Sequence, residues 1–199
     1  MNETTDRRVR RTRATLHRAL IELLLERPYE RITVRDILDR ADVGRSTFYA
    51  HFRDKDDLLL VSSTEYLRSA ITAARPEDPA APPISAPLAP VYTLFQLAEE
   101  NPEVYRALLG RKAGGQLLRA TRGMVGRVLT EQLSGRFAMD DEEFTAMVNF
   151  LSWGVAGTLG AIADADPPIP AEVAYRRLET LLGPGLATRT PSQRARPAP

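Results

Sequence analysis

The sequence predicts an all-α protein, on three observations. Apolar residues return at helical spacing in Leu16, Ala19, Leu20, Leu23 and Leu24, and again in Leu117, Leu118, Met124, Val125, Val128 and Leu129. No stretch alternates apolar and polar residues between hairpin turns, and the β-branched run Ile32, Thr33, Val34 is too short and isolated to build a sheet. Capping and stop signals divide the chain into about nine helices, three of them before residue 53.

In chain order, the stripe Leu16 to Leu24 makes the first long helix. Thr33 caps a short helix with inward positions Ile37 and Ala41, and Val43 plugs a tight turn beside Gly44, the residue expected to enter the left-handed region at no steric cost. A second short helix starts at about Arg45. Asp54, followed by Lys55, Asp56 and Asp57, is a capped, acid-rich first turn of a helix that runs to about Ala74, where Pro76 stops it. Six prolines between Pro76 and Pro90 predict a loop. Asn101 and Pro102 read as N-cap and first helical residue of a short helix through Val104, Tyr105, Leu108 and Leu109, with Gly110 as its stop. Asp140 with Glu143 is a capping-box start for a long apolar helix ending near Asp164. Pro170 opens a last helix, Ala171 to Leu182, which Gly183-Pro184-Gly185 is expected to end; the proline-bearing polar tail from Ala187 onward reads as disordered. The expected division is a small helical unit at 1–54, a larger helical unit at 55–185 and a tail at 186–199.

Composition closes off several chemistries. The absence of cysteine removes disulfides, thiolate metal sites and a cysteine nucleophile, and suits a reducing cytosol. With only His17 and His51, neither at ligand spacing with carboxylates, no metal site and no cofactor is expected. The acidic run Asp140 to Glu143 caps a helix rather than pairing for acid/base work, and no nucleophile, base and orienting group cluster along the chain, so no enzyme is expected. The N-terminus lacks the apolar segment of a secretory signal, and the apolar stretch Met147 to Ala163 is broken by Asn149, Ser152 and Thr158; a cytoplasmic protein with no membrane partner is expected. Basic and acidic residues nearly cancel, for a formal net charge of +1, so any basic face must be local.

Such a face is present between Thr33 and Arg53. In the second short helix Phe48 and Phe52, four apart, turn inward, which pushes Arg45, Ser46, Thr47, Tyr49 and His51 outward. A small inward alanine, an apolar plug, a turn glycine and a donor-rich second helix together describe a helix-turn-helix. The stretch Thr33 to Leu59, with ADVGRSTFYAHFRDKDDLL, resembles the DNA-binding domain of TetR-type transcriptional regulators over roughly the first 60 residues. Residues 100–185 are similar to one subset of that family's C-terminal domains. The resemblance implies a homodimer on a pseudo-palindromic double-stranded DNA operator, acting as a repressor that a small molecule releases. It implies that Arg45 reads a base edge, where its fork suits guanine O6 and N7, and that Ser46 and Thr47 serve a base edge or a phosphate. Tyr49, His51 and Lys55 resemble the family's phosphate clamp, and Thr33 would add a backbone contact from the preceding helix. The arginine run that includes Arg10 and Arg11 is expected to be a flexible arm reaching neighbouring phosphates or the minor groove.

In the second domain Tyr92, Phe95, Tyr105, Met124, Phe150 and Trp153 are candidates to line a pocket for an apolar or aromatic effector. The helix Phe144 to Ala163 is apolar nearly all round, with Gly154, Gly157 and Gly160 at three-residue steps, and with Val173 to Leu182 it forms a candidate two-fold seam. Two other readings compete: an all-α small-molecule-binding protein or enzyme whose N-terminal helices only pack, and a DNA-binding regulator with no ligand.

Overall fold

A computed structural model describes residues 3–73, 82, 86, 88–111 and 113–187. Nine α-helices run through them: α1 (Glu3–Glu26), α2 (Val34–Ala41), α3 (Arg45–Tyr49), α4 (Lys55–Ala73), α5 (Ala89–Glu100), α6 (Pro102–Leu109), α7 (Gly115–Leu133), α8 (Asp141–Asp164) and α9 (Ala171–Ala187), with one 3-10 turn at Tyr29–Arg31 and no strand among the described residues. The apolar periodicity that predicted α1 is the face it buries, because Leu16, Leu20 and Leu23 are at most 1% exposed.

Helix ends follow local chemistry, with four departures from expectation. The arginine run is not an arm but the opening turns of α1, which is helical from Glu3. Pro90, placed in the loop, belongs to the first turn of α5, where its missing N–H and fixed φ cost nothing. Asn101 stands at the N-cap of α6 before Pro102, as expected, but makes no side-chain capping bond there; its amide instead donates to the Leu97 carbonyl at 3.0 Å and so closes the end of α5. Gly183-Pro184-Gly185 does not end α9, which continues to Ala187, since glycine stops a helix only where the chain must turn. The expected tail from residue 188 lies outside the described residues.

Two layers result. In the N-terminal layer α1 packs on α2 and α4; in the C-terminal bundle α8 packs on α5, α6 and α7, and α9 covers α5. Helix α4 touches α1, α5 and α7, and α6 also reaches α1, so these contacts join the layers. Asp140 caps α8 by accepting from the Glu143 N–H at 2.8 Å. By length and composition α8 could cross a membrane, yet half of its apolar window is buried against its neighbours. Gly160 explains one close approach: a β-carbon there would stand 2.7 Å from the Leu109 carbonyl oxygen, so α6 and α8 pack backbone to backbone. Gly160 therefore serves packing inside the chain and not the seam expected of it. Gly154 and Gly157 have open space around them and lie on the outer face of α8.

Candidate nucleic-acid interface

The candidate interface is built on an apolar core. Leu16, Leu20 and Leu23 of α1 meet Ile32, Ile37, Phe48, Phe52 and Leu58, none more than 2% exposed. Thr33 caps α2 by accepting from the Asp36 N–H, and the Asp36 carboxylate accepts in return from the Thr33 N–H at 2.8 Å and hydroxyl at 2.7 Å. These bonds hold the Asp36 carboxyl below the usual carboxylate range, and they commit both donors of Thr33, so its part is to cap rather than to contact a phosphate. The turn that follows differs from expectation. Asp42 takes the left-handed conformation, with φ 52°, while Gly44 is extended and precedes α3. A short polar side chain tolerates that region, and placing it one residue after α2 lets the Asp42 N–H close on the Leu38 carbonyl.

Helix α3 is five residues long and keeps only Phe48 in the core. The Phe52 N–H reaches the Phe48 carbonyl at 2.9 Å, which carries a near-helical path to the second buried ring, 5.8 Å from the first between centroids. Because Phe48 and Phe52 anchor one side, Arg45, Ser46, Thr47 and Tyr49 stand exposed on the other and His51 is half-buried at the edge. The Arg45 guanidinium lies over the Tyr49 ring, 5.5 Å from its centroid, which narrows the directions it can take without using its donors.

Lys55 sits apart from that group. Its ammonium donates to the Tyr29 and Ile32 carbonyls at 2.7 and 2.8 Å and lies 4.2 Å above the Tyr29 ring. The Tyr29 hydroxyl donates to Asp56, and burial together with that carboxylate pushes its pKa well above the ordinary phenol range. Lys55 thus clasps the start of α4 to the turn before α2, with one N–H left over. Arg10 and Arg11 are exposed on the first turns of α1, and Arg10 faces a cavity between α1, α4 and α6. Sequence reasoning passed over Arg35 and Arg53, whose side chains are 90% and 85% exposed at the two ends of the helix-turn-helix; their positions two after the cap and next to Phe52 were the available signal.

The profile of the bacterial regulatory proteins of the tetR family matches residues 16–61, which span the second half of α1, the turn, α2, α3 and the start of α4. Residues 16–61 are thus similar to the DNA-binding domain of the tetR family. Two regulators align with parts of it: the uncharacterized HTH-type transcriptional regulator YxbF of Bacillus subtilis (strain 168), 44% identical over 27% of this chain and 14% of that protein, and the HTH-type transcriptional regulator TcmR of Streptomyces glaucescens, 28% identical over 66% and 59%. The chain therefore spans less than two thirds of the length of either. A TetR transcriptional regulator structure from Streptococcus agalactiae 2603V shares the fold over 90% of this chain and 97% of its own, with a TM-score of 0.57 at 23% identity.

The C-terminal bundle divides the six candidate pocket residues. Tyr105 and Met124 line the cavity between α1, α4 and α6. Phe95 is fully buried in the α5 core, and Tyr92 packs edge-on against Tyr175 at 5.6 Å, so both are core residues. Phe150 and Trp153 are 66% and 56% exposed on the outer face of α8 and are not among the residues lining this cavity, since the helix turns the opposite face to α5, α6 and α7. The lining of the cavity also includes Arg10, Arg13 and Arg18, a polar share that the apolar stripes did not announce although all three stand on α1.

Proposed function

We propose that the protein is a cytoplasmic, homodimeric DNA-binding transcriptional repressor whose hold on a pseudo-palindromic operator weakens when a small molecule binds. The observation that carries this reading is α3: one buried ring fixes it while Arg45, Ser46, Thr47 and Tyr49 face outward from a rigid core. Arg45 reads a base edge; Tyr49, His51 and the remaining N–H of Lys55 hold phosphates, joined by Arg35 and Arg53 at the flanks. Arg10 and Arg11, on a helix rather than an arm, contribute a basic approach surface at the far end of α1.

Dimerisation is supported by the uncovered face of α8 and α9, where Phe150, Trp153, Val173 and Leu181 stand exposed around Gly154 and Gly157. An apolar patch of this kind on a helix pair suits a self-complementary two-fold seam, and two copies set recognition helices about one DNA turn apart. A dimer seated across a promoter excludes polymerase by volume, which makes repression the natural outcome of occupancy. No second reading is favoured by a particular observation.

Operator footprinting on the protein's own promoter, followed by fluorescence anisotropy, tests the proposal. Arg45→Ala is expected to cost about 1–3 kcal/mol on the footprinted site and little on random duplex, whereas Tyr49→Ala weakens both alike. Equal losses for Arg45→Ala on the two duplexes would refute its role as the base reader.

A further inference from the structure

A cavity of about 720 Å3 opens at the junction of the two layers, walled by α1, α4 and α6 with Met124 of α7. Its chemistry is graded. Along α1 the lining steps from Arg10 and Arg13 through His17 to Ile21, one face of the helix at three- and four-residue intervals. The ion pair from Arg13 to Glu65 at 2.8 Å and the hydrogen bond between His17 Nε2 and Ser63 Oγ at 3.0 Å lay α1 antiparallel to α4. The arginine end of the cavity therefore lies toward the later half of α4, and Ile21 toward its start. Val104, Tyr105 and Leu108 of α6 supply an apolar wall.

Two polar groups at this wall have no partner although they are buried: the Ser62 hydroxyl, on a residue only 5% exposed, and Nε of Arg13. Both can donate. Two of the wall's guanidinium groups, on Arg13 and Arg18, face a single carboxylate in the lining, Glu65, which Arg13 already neutralises. Unmet donors and surplus positive charge beside an apolar wall call for an occupant with an anionic, acceptor-rich head and a hydrophobic body, and the volume suits a small organic molecule.

We propose that this inter-layer cavity is the effector site and that it takes an amphipathic organic acid, its carboxylate at Arg13 and Arg18 and its body against Val104, Tyr105 and Leu108. The proposal rests on the reading of the protein as a ligand-released regulator and gives that ligand a class and a place. The link to DNA is short: Arg13 also lies over the Phe52 ring, 5.7 Å from its centroid, and Phe52 anchors the path out of α3. A carboxylate that draws Arg13 from Glu65 loosens α1 from α4 and alters the support under Phe52 at once.

Isothermal titration of the full chain with matched probes, decanoate against decan-1-ol and 2-naphthoate against 2-naphthalenemethanol, tests the site without DNA. The expected result is at least tenfold tighter binding of the acid in one pair or both, with Arg18→Gln and Arg13→Gln each removing most of that preference. Equal affinity for acid and alcohol, or no binding by any probe, would overturn the proposal. Val104→Trp fills the cavity and abolishes binding; Ser69→Trp, an exposed rim position, does the same without touching the core. Acid binding that survives both tryptophans would place the ligand elsewhere and likewise refute the site. Anisotropy on the footprinted operator then reads release, expected as a tenfold or greater loss of DNA affinity with saturating acid. A protein that never binds a duplex fails as a regulator independently, because the titrations contain no DNA.

Discussion

Acidification acts on one histidine in a way that can be worked out in advance. His17 is packed between α1 and α4, its Nε2 3.0 Å from Ser63 Oγ and its ring 6.1 Å from that of Tyr66, and burial pushes its pKa down to about 4 from 6.5. In the unfolded chain the imidazole takes up a proton below about pH 6.5; in the folded protein it resists until about pH 4. Between those values the unfolded state binds more protons, so stability falls as pH falls. A shift of this size is worth about 3 kcal/mol once both states are protonated, and about 2 kcal/mol at pH 5. The charged groups lining the same cavity, Arg10, Arg13, Arg18 and Glu65, are more cationic than anionic and do not favour a charged imidazole. Urea unfolding at pH 7 and pH 5, at one fixed protein concentration, isolates this contribution when wild type is compared with His17→Gln, which keeps a hydrogen-bonding group near Ser63. The carboxylates of Asp36, Asp57 and Glu131, also held below their ordinary range, titrate in both proteins and cancel in the comparison. Wild type is expected to lose about 2 kcal/mol more than the variant between the two pH values. The same pH dependence in both would refute the reasoning.

Three further outcomes are expected. Gly160→Ala forces α6 and α8 apart, since the new methyl would meet the Leu109 carbonyl at 2.7 Å, and should cost about 1–3 kcal/mol in urea unfolding; an unchanged midpoint would mean that the two backbones do not touch. Thr33→Ala removes the cap of α2 and should cost about 1 kcal/mol, read as a lower melting temperature with operator affinity changed no more than folding requires. Gly157→Leu and Trp153→Glu alter the open face of α8 without any internal contact for the glycine, so sedimentation should show a dimer for wild type and monomers for the variants at micromolar protein; a wild-type monomer would remove the basis for the seam.

Local signals carried most of the fold. Helix starts at Thr33, Asp54 and Asp140 were legible because an N-cap is a contact between residues three apart, and Phe48 and Phe52 declared the inner face of α3 by spacing alone. What escaped was decided by distant partners. Gly154, Gly157 and Gly160 look alike in sequence, and only the approach of α6 from fifty residues away gives the last a different task. Gly44 was the obvious residue for a left-handed turn, yet Asp42 stands where α2 has to close on Leu38. Aromatic residues near the C-terminus suggested a pocket, but their periodicity cannot say which face of α8 the other helices leave open, so Phe150 and Trp153 point outward. The arginine run read as an arm because charge is visible in a sequence and the α4 carboxylate that meets Arg13 is not.

How a change in the C-terminal bundle reaches α3 turns on where α4 is held. Its first turn is tied to the helix-turn-helix by the Lys55 clasp and by Asp56, which accepts from Tyr29 and, at 3.1 Å, from Gln116 at the start of α7. Its later half is tied to α7 again, where Arg68 meets Glu131 with two bonds of 2.8 Å. Pinned near both ends to one long helix, α4 spans about 28 Å as a strut and resists simple translation. Its polar ties to α1 lie between those pins, at Glu65 and Ser63, and this is where the cavity opens. A pivot about the first-turn clasp of only ~5° carries Arg68, about 20 Å along the strut, by ~1.7 Å, more than its ion pair of 2.8 Å can follow without breaking. Movement of α1 against a fixed α4 is therefore less costly than tilting α4 itself. If the protein works as proposed, this geometry routes the change to α3 through α1 and the Arg13–Phe52 contact, so Arg68→Ala is expected to leave DNA binding nearly intact while Arg13→Gln is not; the opposite ranking in operator anisotropy would show that α4 is the moving part.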